Sequence, residues 1–124
     1  MSSQGFIFIV IAALMTVSSN LMLRAGITRA GGFAISLSTI GEDLIDLARQ
    51  PLVVVGVVFY ALAALVWFRV ISTENLNTSY PVLVGLTFTL VTIGATFLFR
   101  EPMSVLKVIG LGLIFIGILV ISRS

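Results

Sequence analysis

Thr16, Asn20 and Arg24 follow one another at i, i+4 and i+8 in the run TVSSNLMLRAG, Thr16 to Gly26, which closes the first hydrophobic stretch of the chain. On a helix that spacing aligns the three side chains along one stripe. A guanidinium meets a phosphate bidentately, and an amide or a hydroxyl bonds sugar oxygens. No Asp or Glu occurs from Phe6 to Leu23, so the stripe suits an anion better than a cation. A second stripe, Gly85, Thr89, Thr92 and Thr96, ends near Arg100 and Glu101, with Lys107 a little further on. Chain direction carries both stripes toward one membrane face. We expect a polar, net positive vestibule to open there.

Other chemistry is excluded by what is missing. The 124 residues contain no histidine and no cysteine, which removes the usual catalytic base, disulfides and thiolate metal sites. No pair of carboxylates falls within a hydrophobic run, so neither a catalytic residue, a metal nor a cofactor is expected, and the chain reads as a non-enzyme. A net charge of +2 is too small to suggest nucleic acid. With 59% hydrophobic and 10% charged residues, and a mean hydropathy of +1.22, a soluble domain of this size could not hide its apolar surface. The bilayer must be the solvent. Met1 to Gly5 lacks a basic residue, so no cleaved signal peptide is expected.

The elements that must position these groups are helices, because backbone in lipid has to satisfy itself and no barrel-like alternation is present. The sequence predicts an all-α membrane protein, one domain over residues 1–124 with four transmembrane helices at 5–23, 51–70, 79–99 and 105–121. Proline opens the second, in the first turn where a helix tolerates it. Short second and third connections predict that spans two, three and four are successive antiparallel neighbours. The first connection is long and holds STIGEDLIDLARQ, read as a short amphipathic helix over 39–50. Thr39 and Glu42 have capping-box spacing, and Ile40, Leu44, Leu47 and Ala48 share one face. That helix either lies at the membrane surface or packs on the bundle. Arg24, Arg29, Arg49, Arg100 and Lys107 flank one side of the spans and only Arg69 and Arg123 the other, which favours a cytoplasmic long connection and external termini.

Each polar group also has a plainer use. Threonines in membrane helices bond back to a carbonyl one turn earlier, and arginine snorkels to headgroups. Glu101 could pair with Arg100 or Lys107, or favour the N-terminus of the last helix. Tyr60, Trp67 and Tyr80 suit an interfacial belt. Gly110 and Gly117 lie close in angle on the last span and suit either a dimer face or packing within one chain. Four helices enclose little volume, which favours a path built between two protomers.

From Asn77 to Ser122 the chain reads NTSYPVLVGLTFTLVTIGATFLFREPMSVLKVIGLGLIFIGILVIS, with Tyr80-Pro81 opening the third span, Glu101-Pro102 after it, and Gly110 and Gly117 in the last. This stretch resembles the C-terminal half of the drug/metabolite transporter superfamily, and SSNLMLRAG resembles that family's opening helix. Two four-helix branches fit the length. Small multidrug resistance exporters carry a membrane-embedded glutamate in the first helix, which alternates between protons and cationic drugs. The other branch contains subunits that flip undecaprenyl-phosphate-linked aminoarabinose. The Tyr-Pro and Glu-Pro pairs are more similar to the second branch, and the missing acid departs from the first.

Together with the placement of the polar groups, the resemblance implies a multi-pass protein of the bacterial inner membrane that flips a polyprenyl-phosphate-linked sugar, alone or as a subunit. Arg24, helped by Arg100 and Lys107, would hold the phosphate. Thr16, Asn20, Tyr80, Thr89, Thr92 and Thr96 would line the headgroup path, and Glu101 would gate or position. Gly110 and Gly117 would form a face for an identical copy or a paralogue, while the substrate's tail stays in membrane lipid. Two alternatives remain open: an exporter of small metabolites or drugs from the same superfamily, and a non-transporting helper of a membrane glycosyltransferase.

Overall fold

The computed structural model describes residues 2–124, which form five helices and no strand. They are α1 (Ser3–Arg29), α2 (Ile40–Arg49), α3 (Pro51–Thr73), α4 (Leu76–Leu98) and α5 (Val105–Ser122). The four others than α2 are each long and apolar enough to cross a membrane, so the chain is a multi-pass membrane protein with a short amphipathic helix between its first and second spans. The Ser2 hydroxyl starts α1 by accepting from the Gly5 N–H at 3.0 Å, and Ser104 does the same for α5 through Lys107 at 3.2 Å. Both satisfy donors that a helix start leaves free. With 27 residues, α1 is about 40 Å long, enough to carry Arg24 and Arg29 beyond the hydrocarbon.

Between α2 and α3 the break falls at Gln50, extended at φ −84° and ψ 119°, as expected of a residue that precedes proline. The capping box expected of Thr39 and Glu42 does not form. The Thr39 hydroxyl reaches the Asp43 carboxylate at 3.4 Å instead. The same Asp43 oxygen accepts from the Ala34 N–H at 3.3 Å, so the acid ties down the preceding loop. α2 packs against the start of α3, and its Leu44 and Ile45 remain exposed.

Packing order departs from chain order. Spans α3, α4 and α5 run antiparallel in sequence, but α1 lies between α3 and α4, giving the order α3, α1, α4, α5. α3 and α4 meet near their turn, where the Trp67 and Tyr80 rings lie 5.9 Å apart, and separate beyond it. This turn-proximal packing engages Trp67 with α4 and the small core of Ile9, Val70, Val82 and Ile118.

The physical reason is residue size. Without a hydrophobic drive between helices in lipid, close van der Waals fit decides which faces meet. On α1, Ala12, Ala13, Ser19 and Gly26 are all buried. A Cβ at Gly26 would come within 2.7 Å of Val53 Cγ2, and one at Gly56 within 2.9 Å of Leu23 Cγ. Ser19, fully buried, donates to the Gly56 carbonyl at 2.6 Å. On the other side of α1, Leu21 packs over Gly94. Gly26 meets the start of α3 and Gly5 its end, so α1 runs antiparallel to α3 and parallel to α4.

α5 is peripheral. Its partner is α4, where Ile118 covers Gly85, and Ile118 is its one buried residue. A methyl group added at Gly110, Gly112 or Gly117 would meet nothing within 4 Å. Packing of Gly110 and Gly117 against the rest of the same chain, one of the two uses expected of them, is not seen.

Candidate functional site

An open groove of about 470 Å³ runs between α1 and α4. α1 contributes Thr16 and Asn20, and α4 contributes Tyr80, Thr87 and Thr92, set among Leu83, Val84, Phe88 and Val91. The parallel register set by Leu21 on Gly94 places Asn20 about one residue's rise from the level of Thr92, and Thr16 about 3 Å from that of Thr87. From Tyr80 to Thr92 the α4 wall spans about 18 Å, more than half of a hydrocarbon core of about 30 Å.

One helical turn beyond Asn20 on α1 stands Arg24, which lines none of the grooves. Its Nη1 lies 3.5 Å from Glu101 Oε1, and its guanidinium sits over the Phe99 ring at 5.7 Å. The sequence placed Glu101 nearby but suggested Arg100 or Lys107 as its partner. Arg100 explains the difference. It has φ 52°, the left-handed region that non-glycine residues seldom adopt, and it turns the chain so that the Glu101 N–H points back toward the Ala95 carbonyl at 3.5 Å. Glu101 is thereby delivered to Arg24, and the two form a charge pair at the face where a polar, net positive vestibule was expected. Arg100 itself is exposed and lines neither this groove nor the next.

A second groove, of about 300 Å³, lies between α4 and α5 and contains Thr92, Thr96, Glu101, Lys107 and Gly110. It shares Phe88, Val91 and Thr92 with the first, so α4 is a common wall. The Lys107 ammonium donates to the Pro102 carbonyl at 3.2 Å. Gly117 lines a third depression, with Tyr80 and Pro81, at the other end of α4 and α5.

The threonines divide by face. Thr89, Thr92 and Thr96 donate to the carbonyls of Gly85, Phe88 and Thr92 at 2.9, 2.8 and 2.8 Å, the back-bonding that membrane helices favour. Thr92 and Thr96 nonetheless edge grooves, whereas Thr89 lines none. The residue missed by the stripe pattern is Thr87, whose hydroxyl is buried without a partner. A register of Tyr80, Val84, Thr87 and Val91, at i, i+4, i+7 and i+11, would have found it, but two polar residues among four make a faint signal.

At the opposite end of the bundle the Glu74 carboxylate accepts from the Ser2 hydroxyl and from the Ser2 N–H at 3.4 Å. The Ser2 hydroxyl, with help from the Arg69 charge, holds this carboxyl below its ordinary pKa. Arg69 also lies over the Phe8 ring at 5.6 Å. The two contacts tie the start of α1 to the end of α3.

No protein-family model matches the chain, and no solved structure gives a significant match. Curated proteins do match. The chain is 29% identical, over 96% of its length and 97% of the relative's, to a protein of Erwinia tasmaniensis named "Probable 4-amino-4-deoxy-L-arabinose-phosphoundecaprenol flippase subunit ArnE". It is 28% identical to a Pseudomonas fluorescens protein named as the probable ArnF subunit of the same flippase, over 98% of this chain and 90% of the relative. A Yersinia enterocolitica protein of that second name is 40% identical over 74 residues, 58% of this chain and 57% of the relative.

Proposed function

We propose that this chain is a flippase subunit that moves a polyprenyl-phosphate-linked sugar across a bacterial inner membrane, and that it belongs to the four-helix branch of the drug/metabolite transporters. The observation that carries the reading is the α1–α4 groove: hydroxyl and amide groups on an otherwise apolar wall, with Arg24 one helical turn beyond Asn20 on α1. Such a wall gives a sugar hydrogen-bonding partners through the hydrocarbon while leaving the isoprenoid tail in lipid. The full-length likeness to two proteins named as flippase subunits supports it.

Phosphate binding falls to Arg24, because a guanidinium matches its oxygens bidentately, with Lys107 adding charge from across α4 and Arg100 from the turn. Asn20, Thr16, Thr92 and Tyr80 meet the sugar. Thr96 borders the Glu101 side, and Thr89 acts through the α4 backbone. Glu101 gates by occupying Arg24 when no phosphate is present. Transport of this kind requires no bond to be made or broken, so the chain carries no catalytic residue. The excess of basic residues at the Arg24 end supports a cytoplasmic placement for that end. The uncovered glycine side of α5, Gly110 to Gly117, supports assembly with a second copy or a paralogue.

The test is flipping of a polyprenyl-phosphate sugar in liposomes, by the protein with any subunit that copurifies with it, wild type against Asn20→Ala and Arg24→Ala. The reading expects both variants to lose at least tenfold in rate at equal abundance. Wild-type rates in both would overturn it. Equal transport of the sugar phosphate without its lipid tail would convert the reading to a small-anion exporter.

A further inference from the structure

Thr16 is the middle residue of the 27-residue α1, and Thr87 is the middle residue of the 23-residue α4. Both line the same groove. Two polar side chains, each at the middle of its helix, therefore line one groove, and lipid beside it would offer no hydrogen bond.

Thr87 stands apart from its neighbours. Thr89, Thr92 and Thr96 each donate to a carbonyl of their own helix, but the Thr87 hydroxyl, out of contact with solvent, has no partner. A buried unpaired hydroxyl is costly, and valine would fill nearly the same volume without the penalty. Ser79 also has a buried, unpaired hydroxyl but lines no groove. Thr87, by contrast, lines the α1–α4 groove through its other atoms, so a ligand there could supply the missing partner. Rotation about χ1 between staggered wells is enough to turn the hydroxyl toward it.

The polar groups also form a continuous series within one chain. Asn20 and Thr92 lie at one end of the groove, Thr16 and Thr87 toward its centre and Tyr80 at the far side, with Arg24 one turn beyond Asn20 on α1. We propose that the headgroup crosses along the α1–α4 groove of a single chain, not between two protomers, with Thr87 as its hydrogen-bonding station at mid-membrane. This rests on the reading under Proposed function and deepens it. A partner subunit then supports or regulates the track without completing it.

The test separates binding from crossing. A fluorescent short-chain polyprenyl-phosphate sugar is measured for equilibrium binding in nanodiscs and for flipping in phosphatidylethanolamine–phosphatidylglycerol vesicles. Thr87→Val removes the hydroxyl at constant shape, Thr87→Ser retains it, and Thr73→Val removes a hydroxyl that donates to the Arg69 carbonyl away from every groove. The expected result is a Kd within twofold of wild type for all three, flipping slowed at least fivefold by Thr87→Val alone, and near wild-type flipping by Thr87→Ser. Flipping by Thr87→Val at the wild-type rate overturns this proposal and leaves the functional reading standing. A wild-type protein that neither binds nor flips the lipid overturns both.

Discussion

Arg24 Nη1 lies 3.5 Å from Glu101 Oε1, joining the end of the first span to the turn before the last. The arginine that the proposed function assigns to a phosphate already holds a carboxylate. A phosphate must displace Glu101 or share the guanidinium with it. Glu101→Gln is expected to raise affinity for polyprenyl phosphate about two- to tenfold, read by binding to the purified protein in nanodiscs. Stability should change by no more than about 1 kcal/mol, because both side chains are substantially exposed and such pairs contribute little. Weaker binding by Glu101→Gln would show that the acid helps hold the ligand.

Arg100 has two separable properties, a charge and a left-handed backbone at φ 52°. Glycine adopts that conformation without penalty. Arg100→Gly is expected to leave thermal stability unchanged or raise it by about 1 kcal/mol, whereas Arg100→Val should lower it by about 1–3 kcal/mol. Denaturation of the three proteins in one detergent decides this. If glycine reduces flipping while keeping stability, the charge is what transport uses.

Helix contact should be intolerant at Gly26 and tolerant at Gly110. A methyl group at Gly26 would approach the Val53 backbone nitrogen to 2.9 Å, while one at Gly110 meets nothing within 4 Å. Gly26→Ala is therefore expected to destabilise by about 1–3 kcal/mol, and Gly110→Ala to leave the isolated chain unchanged. Loss of a copurifying subunit in Gly110→Ala, with monomer stability intact, would place the partner on α5.

The Ser2–Glu74 contact predicts a pH dependence at the bundle end remote from Arg24. Glu74 titrates below its ordinary value in the folded protein, so its contribution is present above the unfolded pKa and disappears as pH falls through the folded one. Hydrogen exchange in the first turn of α1 should accelerate as pH drops into the acid range, after correction for intrinsic rates. In Glu74→Gln the first turn should exchange faster already at neutral pH and lose this pH dependence. An unchanged profile in that variant would remove Glu74 from the account.

Hydropathy alone reveals α1, α3, α4, α5 and the amphipathic α2, because burial in lipid is a property of each segment by itself. Packing order is less accessible. It depends on whether Ala12, Ala13, Ser19 and Gly26 find a matching face on α3 before α3 and α4 find each other. The site shows the same division. Asn20, Thr16 and Thr92 follow from helical spacing, but Thr87 and Thr89 point about 200° apart, and only the positions of α1 and α5 decide which of them meets the groove. The Arg24–Glu101 pair was beyond reach, since it depends on a left-handed arginine with no glycine to announce it.

The central place of α1 has a consequence for biogenesis. α3 and α4 dock on α1, and α5 docks on α4, so three spans depend on one that is synthesised before them. Ser19 waits for a carbonyl 37 residues further along, a delay of roughly 2–7 seconds at about 5–20 residues per second. During that interval a nascent helix bearing Ser19, Asn20 and Arg24 waits for its α3 partner. α1 is then the template on which α3 and α4 are laid.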